Sequence, residues 1–320
     1  MLTIQTIRAA RGRIVDRVHH TPLLSASRLG ARAGATLSFK CESLQKTGSF
    51  KVRGALNHVA QLDDDARRRG VITVSAGNHA QALAWAARSA GVRCTVVMPV
   101  AASRAKVEAS RGYGADVVLH GTSSIEAFTR AHELAEERQL CFVHPFDDDE
   151  VLAGQGTVGL EVLEQQPEVD DVVVPIGGGG LIGGIAVAIK EQRPAVRVFG
   201  VEPTGAAAMR QSLDAGRPLQ LDRVSTIADG LAAPMAGALT FPLVRRYVDD
   251  VVLVTDDEIA GAMREILFSA KLLVEPAGAA ATAAVLAGKL PVGGKRVVTI
   301  LSGGNVDVGR LQDILGAQPT

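Results

Sequence analysis

From residue 71 onward, short β-branched runs take turns with longer stretches of helical periodicity, and that alternation leaves few folds open to the chain. Val71–Val74, Cys94–Met98, Asp116–Leu119 and Cys141–Val143 read as strands. Between the first two, Ala80, Leu83, Ala84 and Ala87 recur at i, i+3, i+4 and i+7, a single apolar stripe suited to a sheet. A second series runs through Asp171–Ile176, Val196–Val201, Val251–Val254 and Lys295–Leu301. Repeats of this kind predict an α/β protein of two domains, each an open, mostly parallel twisted sheet flanked by helices. The 320 residues are enough for both. Aromatics are 3% of the chain against 47% hydrophobic residues, so the interior must be Ala, Val, Leu and Ile between closely approaching backbones, which 34 glycines allow.

The 34 basic and 34 acidic residues cancel, so no net field draws the chain to nucleic acid. Cys41, Cys94 and Cys141 are odd in number and far apart, which supplies neither a disulfide framework nor a CxxC metal knuckle and predicts a reducing compartment. No apolar run reaches the ~18 residues of a membrane span, so a cytoplasmic protein is expected. Asp147–Glu150 reads either as a seam between domains or as a solvated helix start.

Four segments carry chemistry. In Val172–Gly184 a strand runs through Gly177, Gly178, Gly179 and Gly180 into a helix, where bare amides and the positive end of the dipole suit a phosphate. A tight turn alone is the bland reading. A dinucleotide site is the rival one, because Gly178-x-Gly180-x-x-Gly183 matches its fingerprint and Glu202 closes the next strand where a ribose-binding acid sits. In Lys46–Ala55, Ser49 or Thr47 can cap a helix whose first turn holds Lys51; a helix start disfavours an ammonium, which makes Lys51 either a nucleophilic amine or a surface lysine in a poor position. Ser75-Ala76-Gly77-Asn78-His79 ends a strand and opens a helix, forming either a carboxylate cradle or an ordinary cap. Ser302-Gly-Gly-Asn305 ends the last strand, on the edge that faces the ligand crevice of an open α/β sheet. The histidines do not cluster; His58, His120 and His144 read as single structural residues.

Ser49-Phe-Lys-x-Arg-Gly-Ala55, Ser75–His79, the four glycines and Ser302–Asn305 occur in that order in the serine/threonine dehydratase group of pyridoxal-phosphate enzymes, which also contains serine racemase, and the sequence resembles that group. The likeness runs from Thr21-Pro-Leu23 to Asp307, through Gly154–Thr157, Ala228-Asp-Gly230 and Glu275–Gly278. It implies the fold of the tryptophan synthase β-like enzymes (fold type II), with residues 1–60 and 146–320 as the cofactor domain and 61–145 as the smaller domain that takes the substrate carboxylate. Pyridoxal 5′-phosphate is the implied cofactor. Lys51 then carries it, Phe50 neighbours its ring, Asn78 meets its phenolic oxygen, Gly177 to Gly180 and the Leu181 amide hold its phosphate, and Ser302 bonds its ring nitrogen. Glu275 lies near the ring, and Ser75, Ala76, Gly77, Asn78 and His79 take the substrate carboxylate.

The implied activity is α,β-elimination from L-threonine or L-serine to a 2-oxo acid and ammonia, by a homodimer or homotetramer. Serine racemisation, and dehydration of 3-hydroxyaspartate or a hydroxyectoine-degradation intermediate, are the alternatives within the group. A nicotinamide oxidoreductase is the alternative of another class. Racemases of the group have a serine where this chain has Ala76, which predicts weak racemisation. Their divalent-metal site pairs a Glu with an Asp six residues on; here Glu202 is matched by Ala208, which weakens the expectation of a bound divalent or monovalent cation. The short tail after Asn305 predicts no C-terminal regulatory domain.

Overall fold

The computed structural model describes residues 2–316. Its ten strands are β1 (Leu23–Ser25), β2 (Thr36–Lys40), β3 (Val71–Val74), β4 (Cys94–Met98), β5 (Ala115–Leu119), β6 (Cys141–Phe142), β7 (Asp171–Pro175), β8 (Arg197–Pro203), β9 (Asp250–Val254) and β10 (Arg296–Ile300). They form a six-stranded sheet, order β1-β2-β10-β7-β8-β9, and a four-stranded sheet, order β5-β4-β3-β6. Every pairing is parallel except β1 with β2. The periodicity of the sequence anticipated eight of these strands. The missed pair, β1 and β2, is short and carries no strict alternation; β2 gains its place by pairing with β10 in register Val298↔Ser38.

Both faces of each sheet are covered, as parallel sheets require. On the larger one, helices Asp256–Glu265 and Pro276–Leu286 pack on one side around Ala280, Ala284 and Val297. Helices Gly180–Lys190 and Thr240–Tyr247 fill the other with Ile182, Ile185 and Val244. On the smaller sheet, Lys51–Ala60 and Asn78–Ser89 bury Val52, Leu56 and Leu83 with Val71 and Val96, while Ser124–Glu137 covers the opposite face with Ala127 and Leu134. The helix Lys51–Ala60 also leans on Asp149–Gln165, so it bridges the two layers. Helix Asp149–Gln165 meets Gly180–Lys190 nearly backbone to backbone: a Cβ on Gly184 would stand 2.6 Å from the Gly156 amide and the Leu152 carbonyl. Small residues at that crossing are therefore obligatory.

The acidic run proves to be a helix start. Asp148 caps Asp149–Gln165 by accepting from the Glu150 and Val151 amides, and Asp147 accepts from Ala238, Leu239 and Thr240. No described helix is long and apolar enough to cross a membrane.

Candidate active site

The carboxyl ends of parallel strands collect a protein's ligand-facing residues. Here Ser75 directly follows β3, Gly177 lies two residues past β7 and Ser302 two past β10, and side chains link the two sheets across the gap. Asn78 Nδ2 donates to Glu275 Oε1 at 2.6 Å, and Asn305 Nδ2 donates to Asn78 Oδ1 and to the Thr47 carbonyl, each at 2.8 Å. The Lys51 segment joins this set through the backbone. Ser49 bridges Gly303, Phe50 N–H donates to the Ser302 carbonyl at 3.1 Å, and Gly304 N–H to that of Gly48 at 2.9 Å.

That bridge overturns one local expectation. Ser49 is held extended beside Gly303, so neither it nor Thr47 caps the helix; the cap position is Phe50, and the buried Ser49 and Thr47 hydroxyls have no hydrogen-bond partner among the described residues. Lys51 is thus the first helical residue, partly buried, with Nζ 2.7 Å from the Pro145 carbonyl and 5.2 Å from the Phe50 ring centre. Burial lowers its amine to about 8, with Glu275 pulling weakly the other way. The turn that presents the Pro145 carbonyl is set by His144, whose Nδ1 accepts from the Phe146 and Asp147 amides and whose ring is driven down to about 4 by burial.

Glu275 is 8% exposed, and burial raises its carboxyl to about 7 against the lowering hydrogen bond from Asn78. Ser302 is also buried, and its hydroxyl has only a long 3.4 Å contact to the Ala277 carbonyl, which leaves its proton free for a better acceptor. In the glycine segment, Gly179 adopts φ 93° at the helix cap, with no side chain capping Gly180–Lys190. The first-turn amides of Gly180 and Leu181 are therefore open, as a helix start leaves them. A Cβ on Gly178 would collide with the Phe146 ring, so the loop is built for glycine.

Ser75, Ala76, Gly77 and Asn78 are partly exposed beside this site, with Ser75 Oγ accepting from the Gly77 amide at 3.2 Å. Gly77, not a side chain, caps the helix. His79 points elsewhere: its ring is buried against the Val143 carbonyl and burial lowers it to about 3, so only its backbone faces the cradle. Glu202 is also remote in role, because its two oxygens accept from the Met209 and Arg210 amides at 2.8 Å and cap the following helix. A ribose-binding acid is thereby lost, and the dinucleotide reading with it. Sequence reasoning had no access to the Pro145 carbonyl, a backbone atom 94 residues from Lys51. The bridging role of Asn305 was within reach, since it stands in the Ser302 motif.

The fold and site define an α/β enzyme that sets a depressed lysine amine beside an open anion cradle. The family of "Pyridoxal-phosphate dependent enzyme" matches residues 14–303, and the chain belongs to that family. It is 46% identical over 315 residues to the L-threonine ammonia-lyase of Thermotoga maritima, covering 98% of this chain and 78% of that one. To the catabolic L-threonine dehydratase TdcB of Escherichia coli it is 41% identical over 317 residues, covering 98% and 96%. The structure of maize serine racemase superposes with a TM-score of 0.94 at 41% identity, over 98% of this chain and 97% of that one. The open amides of Gly180 and Leu181, the weakly held Ser302 hydroxyl and the Lys51 amine are chemically suited to a phosphate, a ring nitrogen and an aldehyde, the groups that a pyridoxal phosphate carries.

Proposed function

We propose that the protein is a pyridoxal-phosphate dependent ammonia-lyase that eliminates water from L-threonine and L-serine, giving 2-oxobutanoate or pyruvate and ammonia. Pyridoxal phosphate, when bound, supplies the electron sink for charge that develops at the amino acid's Cα. In this reading Gly177–Gly180 and the Leu181 amide hold its phosphate, Lys51 its aldehyde carbon, Ser302 its ring nitrogen and Asn78 its phenolic oxygen, with Phe50 and Glu275 beside the ring. Ser75 and the amides from Ala76 to His79 fix the substrate carboxylate. Lys51 then acts as the base that takes the Cα proton. With an amine near 8, roughly a tenth of it is free of its proton at pH 7, against fewer than about one in a thousand for an ordinary lysine. Ser302 is neutral, so it leaves the ring nitrogen without a fixed proton and favours elimination over long-lived carbanion chemistry. Residues 1–60 with 146–320 serve the cofactor and 61–145 the carboxylate. A homodimer or homotetramer in the cytoplasm completes the reading; light scattering on the purified enzyme tests the assembly.

The observation that carries the choice of lyase over racemase is Ala76, whose methyl group can neither give nor take a proton. Ser302 and Lys51 supply elimination without it. Partial turnover of L-serine followed by chiral chromatography tests this: pyruvate and ammonia form while the remaining serine stays L. Ala76→Ser introduces measurable D-serine. Abundant D-serine from the unaltered protein would make racemisation the main activity.

A further inference from the structure

The chemistry above leaves one cluster unused. His58, in helix Lys51–Ala60, sets Nδ1 3.0 Å from Asp148 Oδ2 and 3.2 Å from Oδ1. The other ring nitrogen, Nε2, stands 3.6 Å from the sulfur of Cys141, on β6. Asp148 is fixed in turn by the Glu150 and Val151 amides, both at 2.9 Å. An acid that engages one imidazole nitrogen while the opposite nitrogen faces a nucleophile is the arrangement that activates hydroxyls and thiols in acyl-transfer enzymes. Three elements contribute one residue each, and the cysteine and histidine are 83 residues apart in the chain, so no local packing preference accounts for it.

We propose that Cys141 is a nucleophilic thiol with His58 as its proton partner and Asp148 as the orienting acid, open to modification by small hydroperoxides and other soft electrophiles. The two other cysteines offer a contrast. Cys41 and Cys94 are buried, and burial pushes both thiols up to about 12, whereas Cys141 is partly exposed. For His58, burial opposes the charge, but the Asp148 hydrogen bond and then the sulfur outweigh it and raise the imidazole to about 9. With Nδ1 engaged by Asp148, Nε2 is the nitrogen that faces the sulfur, so the Cys141 proton passes to it as the sulfur reacts. With hydrogen peroxide, a sulfur lone pair attacks one oxygen, an S–O bond forms and the O–O bond breaks. The leaving oxygen takes the His58 proton and departs as water. Sulfur is oxidised by two electrons to a sulfenic acid, and the peroxide is reduced by two.

The test uses the intact holoenzyme and limiting iodoacetamide, with the labelled site read by peptide mapping at pH 7 and pH 10. An unassisted thiol reacts roughly thirtyfold faster at pH 10, because few such thiols are ionised at pH 7. Cys141 in the unaltered protein is expected to hold that ratio within about threefold, and His58→Gln to open it to roughly thirtyfold. Hydrogen peroxide with a dimedone trap should tag Cys141 and leave Cys41 and Cys94 unmodified. A thirtyfold ratio already present in the unaltered protein, or a trap signal on Cys41 or Cys94 in place of Cys141, would overturn the assignment without reference to how the variant folds.

Discussion

Two lysines lie within the same interior and differ in company. Lys40, fully buried, gives its three protons to the Thr21 carbonyl at 2.8 Å, Glu161 at 2.5 Å and Gln165 at 2.8 Å. Glu161 also takes a hydrogen bond from Arg53 at 2.6 Å, and Arg53 grips Glu42 with two more at 2.8 Å. Lys51, two residues before Arg53 on the same helix, has one carbonyl and, among the described residues, no carboxylate in hydrogen-bond reach. Burial lowers both amines, but at Lys40 the adjacent Glu161 and Glu42 resist it, while at Lys51 only the more distant Glu275 does. A buried amine with a full set of acceptors is a structural cation. One left short of acceptors is poised to lose its proton. The paired cluster anchors the very helix that begins with the unpaired amine, so stability and reactivity are divided between neighbouring turns.

The largest expected effect comes from Lys51→Ala, which removes the amine without touching the cluster. Turnover of threonine and serine, followed as 2-oxo acid, should fall by about 10⁴-fold or more. Apoenzyme melting temperature should stay the same or rise, since a buried and poorly solvated cation has been deleted. Equal loss of activity and of melting temperature would mean that Lys51 is as structural as Lys40, and the contrast would be gone.

Arg53→Met attacks the other side. It strips Glu42 of its cation and leaves Glu161 with Lys40 alone, and uncompensated buried charge of this kind costs about 3–5 kcal/mol, to be read from urea unfolding of the apoenzyme. Adding Glu42→Met should return at least half of that loss, because an apolar pair of similar volume avoids desolvation altogether. If the double variant is no better than the single one, the damage lies in packing rather than in stranded charge.

How much of this could be read before the structure depended on whether the signal was local. Strands β3 to β10 and the glycine segment announce themselves through periodicity and composition, and three of the four motifs follow strand ends where the topology then gathers them, while the Lys51 motif reaches them from a helix start through the Ser49–Gly303 bridge. The Lys40–Glu161–Arg53–Glu42 cluster has no sequence spacing to betray it, since its members come from a strand, a short 3-10 turn and two helices. The helix-cap reading of Ser49 failed for a related reason: a long-range bridge to Gly303 decided its backbone, and local capping chemistry lost. His58 looked solitary because Cys141 and Asp148 reach it only through the fold.

The smallest effect is the sharpest test of what distinguishes the two amines. In the apoenzyme Lys51 gives up its proton near 8, whereas in the unfolded chain it does so near the ordinary value of 10.5. Between those limits the unfolded state binds one more proton, so this group makes stability rise with pH, by about 1.4 kcal/mol per pH unit at most. Below 8 both states are protonated and the burial cost is present in full; above 10.5 both are neutral and it is gone. Other groups titrate in the same window, so the quantity to measure is the difference in slope between the unaltered apoenzyme and Lys51→Met, from urea midpoints at pH 7.5, 8.5 and 9.5. The variant should be the more stable protein at pH 7.5, with its advantage shrinking as pH rises. Parallel pH profiles would show that Lys51 keeps its proton as firmly as a solvated lysine, and its role as the free base at neutral pH would have to pass to another group.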